Sequence, residues 1–335
     1  MVQERTVKNI GVIGCAAILP RVLIEPLKSI GHLQIHGISS RTRSKAESYA
    51  EQYGIPVVYD SYEALLASPD IDFIYILLCN DLHAEWIIRS IEAGKHVLVE
   101  KPLCLNGKEA VRIKAAYERA QGRVHVLEGL MVQHHPWQQA VKNLIDSREY
   151  GALQSISSAI SFIPKESFQS NYRSFPERGG GSFYDLGCYW LQFLQAVVGL
   201  DNESFQGHSL FNGPNGADWT FEAELKLAGG AKASLTTSFE QAYKAAHTLH
   251  FEHAIVQMDD FFRANLGSLK VSFKVTDLRT NETSKVSFDP QSYYINQLNF
   301  FSDVIDGIMP NVSLDSSIER IVLQESIYQS AQQLV

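Results

Sequence analysis

Two short segments of this chain carry groups that exchange protons, at spacings that would present them to a small molecule. In the first, Glu100-Lys101-Pro102, a lysine follows the apolar run His96-Val97-Leu98-Val99, which reads as a buried strand. A lysine so placed lies at the carboxyl edge of a parallel sheet, where open α/β folds bind their ligands. The second is Gly179-Gly180-Gly181-Ser182-Phe183-Tyr184-Asp185-Leu186-Gly187-Cys188-Tyr189. Its Asp185 and Tyr189 are four apart on a predicted helix, hence on one face and one turn apart. A tyrosine ionises near pH ~10 when unperturbed, so it is a poor acid without help. A lysine held close by lowers that value through its positive charge. Lys101 could instead deliver the proton itself while Tyr189 orients the substrate. The structural alternative is that Tyr189 is a core aromatic, since Phe183, Tyr184, Trp190 and Phe193 crowd the same helix.

Other chemistries find less support. No Ser-His-Asp spacing is present, and His134-His135, His32 and His36 lack companion Cys or carboxylate ligands at metal-site spacing. Cys15, Cys79, Cys104 and Cys188 are scattered without a CxxC pair, which points to buried thiols in a reducing compartment.

The turn Gly11-Val12-Ile13-Gly14-Cys15-Ala16-Ala17-Ile18-Leu19 opens a dinucleotide site. A full GxGxxG fingerprint would put glycines at 14, 16 and 19, and only Gly14 is present. Gly14 permits the tight turn, and Ala16, with Cys15 and Ala17 beside it, still allows close approach of a pyrophosphate. Leu19 is the real departure, because the third glycine serves close helix–strand packing. The next strand ends in Ile38-Ser39-Ser40-Arg41-Thr42-Arg43-Ser44-Lys45, with no acid for a ribose 2′-hydroxyl. Hydroxyls and cations suit a 2′-phosphate instead, with Arg41 pairing and Ser40 and Thr42 donating, and Lys45 nearby. The segment therefore predicts NADP(H) rather than NAD(H). The bland alternative for Arg43 and Lys45 is a solvated helix start.

These residues need a scaffold, and the chain supplies one. Strand-like runs at Val7–Ile13, Leu33–Ile38, Val57–Tyr59, Phe73–Leu78, Val97–Val99 and Val124–Leu127 alternate with helical segments. The helices are Pro20–Ile30, Arg43–Tyr53 ending at Gly54, Tyr62–Ala67 capped by Ser61, Leu82–Ala93, and Gly107–Arg119. This βαβ rhythm predicts an α/β, doubly wound, Rossmann-type domain over residues 1–125. Residues 126–335 change texture. Leu153–Phe162, Trp219–Leu227, Ala231–Ser238, Thr248–Gln257 and Leu269–Leu278 are β-rich and predict an open, mostly antiparallel sheet in an α+β domain. One helix, Phe183–Val198, interrupts it, and helices at Tyr293–Ile308 and Ser316–Leu334 close the chain, the last able to pack back on the first domain.

A chain of 335 residues is long for one core and comfortable for two. A net charge of -8 argues against nucleic acid or a membrane surface as partner, without excluding a phosphorylated ligand met by a local Arg cluster. No window approaches the ~20 apolar residues of a membrane span. Met1–Lys8 has no apolar signal-peptide core, so a cytoplasmic protein is expected.

The glycine-opened first strand, Glu-Lys-Pro and the Gly-rich Asp–Tyr segment, in this order and over nearly the whole chain, resemble the Gfo/Idh/MocA oxidoreductases. That resemblance implies that Leu78-Cys79-Asn80-Asp81-Leu82-His83 lines the nicotinamide ribose. Asn80 and His83 match the family's segment and Cys79 replaces its proline; a structural hydrogen bond is the preferred reading of His83. Glu100 is structural or contacts the cofactor ribose, and Pro102 fixes the turn at a position where a cis bond can occur. Many members carry histidine where Tyr189 stands; tyrosine variants include nucleotide-sugar ketoreductases and dihydrodiol or xylose dehydrogenases. Glu128 to Pro136, including His135, resembles the segment that joins the domains and lines the cleft. Tyr172, Arg173 and Arg178 precede the glycine run, where a cation could meet an anionic substrate. A solvated arginine, or one paired with Glu177, is the competing reading. The expectation is an NADPH-dependent reductase of a ketone on a nucleotide-linked sugar, with Lys101, Tyr189 and Asp185 at its centre. Oxidation of a free aldose or diol, imine reduction, and a dinucleotide-binding sensor without turnover are the alternatives. The exposed face of an open sheet is a pairing surface, so a homodimer or homotetramer is expected.

Overall fold

The first sheet explains why a lysine can stand at the end of a buried strand. A computed structural model describes residues 6–333 as two compact units. Unit 1 runs to Gly129 and takes up Tyr294–Ile318; unit 2 is Leu130–Tyr293 with the chain from Glu319.

Unit 1 holds β1 (Lys8–Ile13), β2 (Leu33–Ser39), β3 (Val57–Val58), β4 (Phe73–Ile76), β5 (His96–Glu100) and β6 (Val126–Gly129) in the order β3-β2-β1-β4-β5-β6. All five pairings are parallel. Every residue of β4 is buried, as a central strand covered on both faces requires, and this is why it reads as the unbroken run Phe-Ile-Tyr-Ile. The order reverses between β1 and β4, which is where such sheets open a crevice beyond their carboxyl ends.

The helices follow their caps. α1 (Glu25–Leu27) is short, because the segment expected as one helix from Pro20 begins with a π turn over Pro20–Ile24. α2 (Arg43–Tyr53) ends at Gly54, and α3 (Tyr62–Ala67) starts where Ser61 Oγ accepts the Ala64 N–H at 3.0 Å. α4 (His83–Glu92) buries Ala84, Trp86, Ile87 and Ile91. α5 (Gly107–Arg119) is capped by Asn106 Oδ1, which accepts the Glu109 N–H, while Glu109 Oε2 accepts the Leu105 N–H. Several contacts tie the returning segment Tyr294–Ile318 to this unit, Lys114 Nζ to Asp315 at 2.6 Å among them. Phe301 meets Phe73 edge to face at 5.4 Å, Lys8 Nζ lies 2.7 Å from Asp306, and Asn311 Nδ2 donates to the Val126 carbonyl.

Unit 2 is built on eight strands. They are β7 (Leu153–Ser161), β8 (Asn202–His208), β9 (Thr220–Leu227), β10 (Lys232–Ser238), β11 (Lys244–Phe251), β12 (Ala254–Met258), β13 (Ser272–Asp277) and β14 (Thr283–Ser287). Their order is β14-β13-β12-β11-β7-β10-β9-β8, with β7–β10 the parallel pair and the others antiparallel. The strand expected over Thr248–Gln257 is two, turned at Glu252-His253 without a glycine or proline to announce it. Strands β8 and β14 escape sequence reading because they are polar and exposed at the sheet edges. Strict alternation in β9 and β11 buries one face.

Helices α6 (Trp137–Ser147) and α7 (Cys188–Val197) are locked by reciprocal amide bonds between Gln138 and Gln192, at 2.8 and 2.9 Å. Trp137 packs on Phe193 with ring centroids 5.3 Å apart. α8 (Tyr293–Ile305) lies almost wholly in unit 1, and α9 (Leu314–Gln332) starts there and continues in unit 2. No described helix is long and apolar enough to cross a membrane.

Candidate active site

In unit 1 the carboxyl ends of β1, β2, β4 and β5 gather the residues expected to hold a dinucleotide. Gly14 closes β1 with φ +101°, and its N–H donates to the Ser39 carbonyl at 2.9 Å. A Cβ at this position would run into the Leu77 carbonyl and the Leu78 side chain, so only glycine fits. Ala16 is half-buried and Ala17 exposed, and side chains this small leave the loop backbone open to a pyrophosphate. Leu19, in place of the third glycine, is fully buried, and the helix after it opens with a wider π turn. The residues present therefore fit a dinucleotide.

Cys15 is buried, and burial pushes its thiol up, partly offset by a hydrogen bond with Ser40 and by the charge of Lys45. That places Ser40 and Lys45 beside the loop. Lys45 also lies 5.8 Å from the Tyr49 ring, and Thr42 stands at the start of α2. Arg43 is engaged by Glu47, at 2.8 Å, and by Asp60. Arg41 is exposed at the tip. Its backbone is hydrogen-bonded by Tyr62, whose phenol is pushed up by burial and which packs edge to face on Trp86 at 4.6 Å. Sequence reading did not find Tyr62; nothing in its helix distinguishes it from a core aromatic.

After β4, Cys79 is half-buried and Asn80 is 2 % exposed. His83 is fully buried, with Nδ1 2.7 Å from the Pro102 carbonyl oxygen and Nε2 3.2 Å from that of Leu78. Burial lowers its pKa, so the neutral ring has one N–H, and the shorter contact takes it. This is the structural bond expected of His83.

Lys101 is half-buried on the loop after β5, and its bond to Pro102 is cis. Two buried groups frame that loop. Tyr75 donates to Glu100 Oε1 at 2.7 Å, and Glu128 Oε1 accepts the Leu103 N–H at 2.9 Å. Glu128, expected on the substrate side, thus braces the lysine loop from within unit 1. Tyr294 of α8 is 3 % exposed. Burial pushes its phenol up to about 12, with Arg21, Glu100 and Lys101 near enough to influence it. Arg21, Tyr75 and Tyr294 were not legible in the sequence, because the meeting of Tyr75 with Glu100 and of Arg21 with Tyr294 depends on segments far apart in the chain.

In unit 2 the turns before α7 bring Tyr172, Arg173, Asp185 and Tyr189 together. Arg173 Nε lies 3.0 Å from Asp185 Oδ2, and its guanidinium lies 4.6 Å from the Tyr172 ring. Burial opposes that charge, but Asp185 and Tyr172 outweigh it and hold the group above its ordinary value, with Tyr189 contributing. Arg173 is half-buried and ion-paired with Asp185. Arg178 is half-buried one turn further on. Asp185 is 5 % and Tyr189 7 % exposed, and Tyr189 meets Phe262 edge to face at 4.8 Å.

The π turn Phe183–Gly187 that carries Asp185 starts on Asp218, an unanticipated residue. Asp218 Oδ2 accepts the Ser182 hydroxyl at 3.0 Å and the Phe183 N–H at 2.7 Å. A Cβ on Gly181 would strike this carboxyl, which fixes the glycine there. Burial pushes Asp218 up to about 7. His135 is packed inside unit 2 against Phe288 and Tyr293, its Nδ1 accepting the Trp137 N–H at 3.2 Å. Among the described residues no group of His, Cys, Asp and Glu could hold a metal ion.

Residues 8–128 match the oxidoreductase family profile GFO/IDH/MocA, NAD-binding Rossmann fold, and residues 138–257 match the GFO/IDH/MocA C-terminal domain. The chain belongs to the GFO/IDH/MocA oxidoreductase family. Relatives in the family include D-xylose 1-dehydrogenase (NADP(+)) 2 of Haloferax volcanii, 29% identical over 96% of this chain and 97% of that protein. The dTDP-3,4-didehydro-2,6-dideoxy-alpha-D-glucose 3-reductase of Actinomadura kijaniata is 33% identical over 78% of this chain and 73% of its own. A solved structure, a 3-ketoreductase from Actinomadura kijaniata in complex with TDP-benzene and NADP in an open conformation, superposes with TM-score 0.84. It is 25% identical, and the match covers 97% of this chain and 98% of the other. As a GFO/IDH/MocA member, the chain is an NAD(P)-dependent oxidoreductase.

Proposed function

We propose that the protein is an NADPH-dependent reductase of a ketone on a nucleotide-linked sugar. The observation that carries this reading is the pairing of a tyrosine, Tyr189, at the end of the Gly-rich segment with an acid-free, arginine-bearing tip after β2. When bound, NADPH supplies the hydride at its nicotinamide ring. Gly14, Cys15, Ala16 and Ala17 would accommodate the pyrophosphate. Ser40, Arg41, Thr42 and Lys45 would take the 2′-phosphate, and Cys79, Asn80, Glu100 and Pro102 would border the nicotinamide ribose. His83 and Glu128 hold the loop that presents Lys101. In this reading Tyr189 would release the phenolic proton to the oxygen of the reduced carbon, with Lys101 as the second group of the proposed acid pair. Tyr172 and Arg178 would face the substrate, with Arg178 pairing with an anionic group. The relationship to a dTDP-sugar 3-reductase supports the substrate class.

The relationship to a xylose dehydrogenase over nearly the full chain favours a second reading, NADP-dependent oxidation of a free aldose. Either reaction uses the same proton path in opposite directions. A dimer or tetramer formed through the exposed sheet face and a cytoplasmic location, consistent with four free cysteines, belong to the same proposal.

The test is Tyr189→Phe and Lys101→Ala, assayed beside NADPH binding. Both should lower turnover by about 10²-fold or more while the Kd for NADPH changes little. Turnover unchanged in Tyr189→Phe would remove the phenol from the acid role.

A further inference from the structure

The turn Tyr172–Ser174 and the turn that opens the helix of Tyr189 are joined by an ion pair, half-buried Arg173 to buried Asp185 at 3.0 Å. The guanidinium is also covered by rings, Tyr172 at 4.6 Å and Phe168 at 5.3 Å. The Arg173 carbonyl accepts the Gly181 N–H at 2.8 Å, at the entrance to the same helix. With its charge already matched by Asp185 and its plane stacked on two rings, this cation has less to gain from an incoming anion. We propose that Arg173 is a positioning residue for Tyr189: it pins Asp185 and holds a fixed positive charge in the environment of the phenol. This rests on the reading of Tyr189 as proton donor.

The electrostatics have a definite sign. Left unpaired, the Asp185 carboxylate would resist a second negative charge on Tyr189, one helical turn away. Arg173 cancels that resistance. Ionised Tyr189 also favours the charge on Arg173, and the influence is mutual, so Arg173 favours the phenolate. Charged and titratable side chains near this phenol include Asp185 on the turn that opens its helix and Tyr172 and Arg173 on the facing turn. Arg263 is exposed on the turn whose Phe262 ring meets Tyr189. When the phenolic O–H bond breaks and its proton moves to a substrate oxygen, Arg173 is a cation of unit 2 that favours the electron pair left on Tyr189.

The test is NMR titration of protein labelled with 13C at tyrosine Cζ, using Tyr189→Phe to assign the resonance. In Arg173→Gln, Tyr189 should titrate higher by about one pH unit, and Arg173→Lys should recover most of that shift. In Asp185→Asn, which keeps the cation, it should titrate lower. An unmoved Tyr189 titration in Arg173→Gln, or in Asp185→Asn if the glutamine variant does not fold, overturns the proposal. No substrate is required, so the outcome is separate from the identity of the substrate. With an active substrate, Arg173→Gln should lower kcat about 10- to 100-fold at nearly constant KM. A raised KM with kcat intact would make Arg173 an anion receptor and equally overturn it.

Discussion

His83 Nδ1 lies 2.7 Å from the carbonyl oxygen of Pro102, so the loop after β4 holds the loop that presents Lys101. The ring is fully buried and its second nitrogen faces the Leu78 carbonyl. Removing it leaves a buried carbonyl without a donor and a cavity at the same place. His83→Ala should destabilise the protein by about 2–4 kcal/mol, measured by urea unfolding. It should also lower kcat more than NADPH affinity, because the lysine loop loses its brace. An unchanged unfolding midpoint would show that the bond does not hold the loop.

Cofactor choice is expected to turn on one arginine. Arg43 is engaged by Glu47 and Asp60, whereas Arg41 stands exposed at the tip after β2 beside Ser40. A 2′-phosphate paired with Arg41 gains a charge-assisted bond that a 2′-hydroxyl cannot reproduce. Arg41→Ala should weaken NADPH about 10- to 100-fold and NADH little, read by fluorescence titration of each. Equal losses for both would contradict the assignment.

Acid should destabilise the fold through buried histidines. Burial pushes His134 and His247 down to about 3, and His96 and His135 down to about 4. Each is depressed in the folded state, so the unfolded chain takes up protons first as pH falls below about 6.5. The stability is fully present above that pH and is lost as pH drops toward the folded values. His247, 1 % exposed between Phe193 and Phe261, accounts for about 1.4 kcal/mol per pH unit in this window. Asp218 acts in the opposite sense: its folded value near 7 stabilises most at low pH, and that contribution is lost as pH rises through 7. His83 and His125 are lowered by burial as well, so with these histidines against one aspartate Tm should fall steadily from pH 6.5 to 4.5. In His247→Gln the fall should be shallower by about one proton; an equal slope would contradict the assignment.

What could be read from the sequence followed from burial on both faces. Phe73–Ile76 is apolar at every position because β4 is central in a parallel sheet, so period and type announced it. Strand β8, Asn202–His208, carries one buried residue and resembles a loop by composition. The turn between β11 and β12 uses Glu252 and His253, so a hairpin looked like one strand. Candidate residues could be proposed from the sequence where one segment supplied the chemistry, as at Lys101 or at Asp185 and Tyr189. The site was not legible where two distant segments meet. Arg173 against Asp185, His83 against Pro102, and Asp218 beneath Ser182 are contacts of tertiary structure, and no local pattern encodes them.

The most direct test of the central claim is steady-state oxidation of NADPH by the purified protein with a dTDP-linked keto sugar. D-xylose with NADP+ and the same assays with NADH and NAD+ run beside it. NADPH consumed with the keto-sugar nucleotide, at a kcat/KM well above that for NADH or for xylose oxidation, is the predicted result. Turnover of xylose with NADP+ and none of the keto-sugar nucleotide would contradict it and establish the aldose reading in its place.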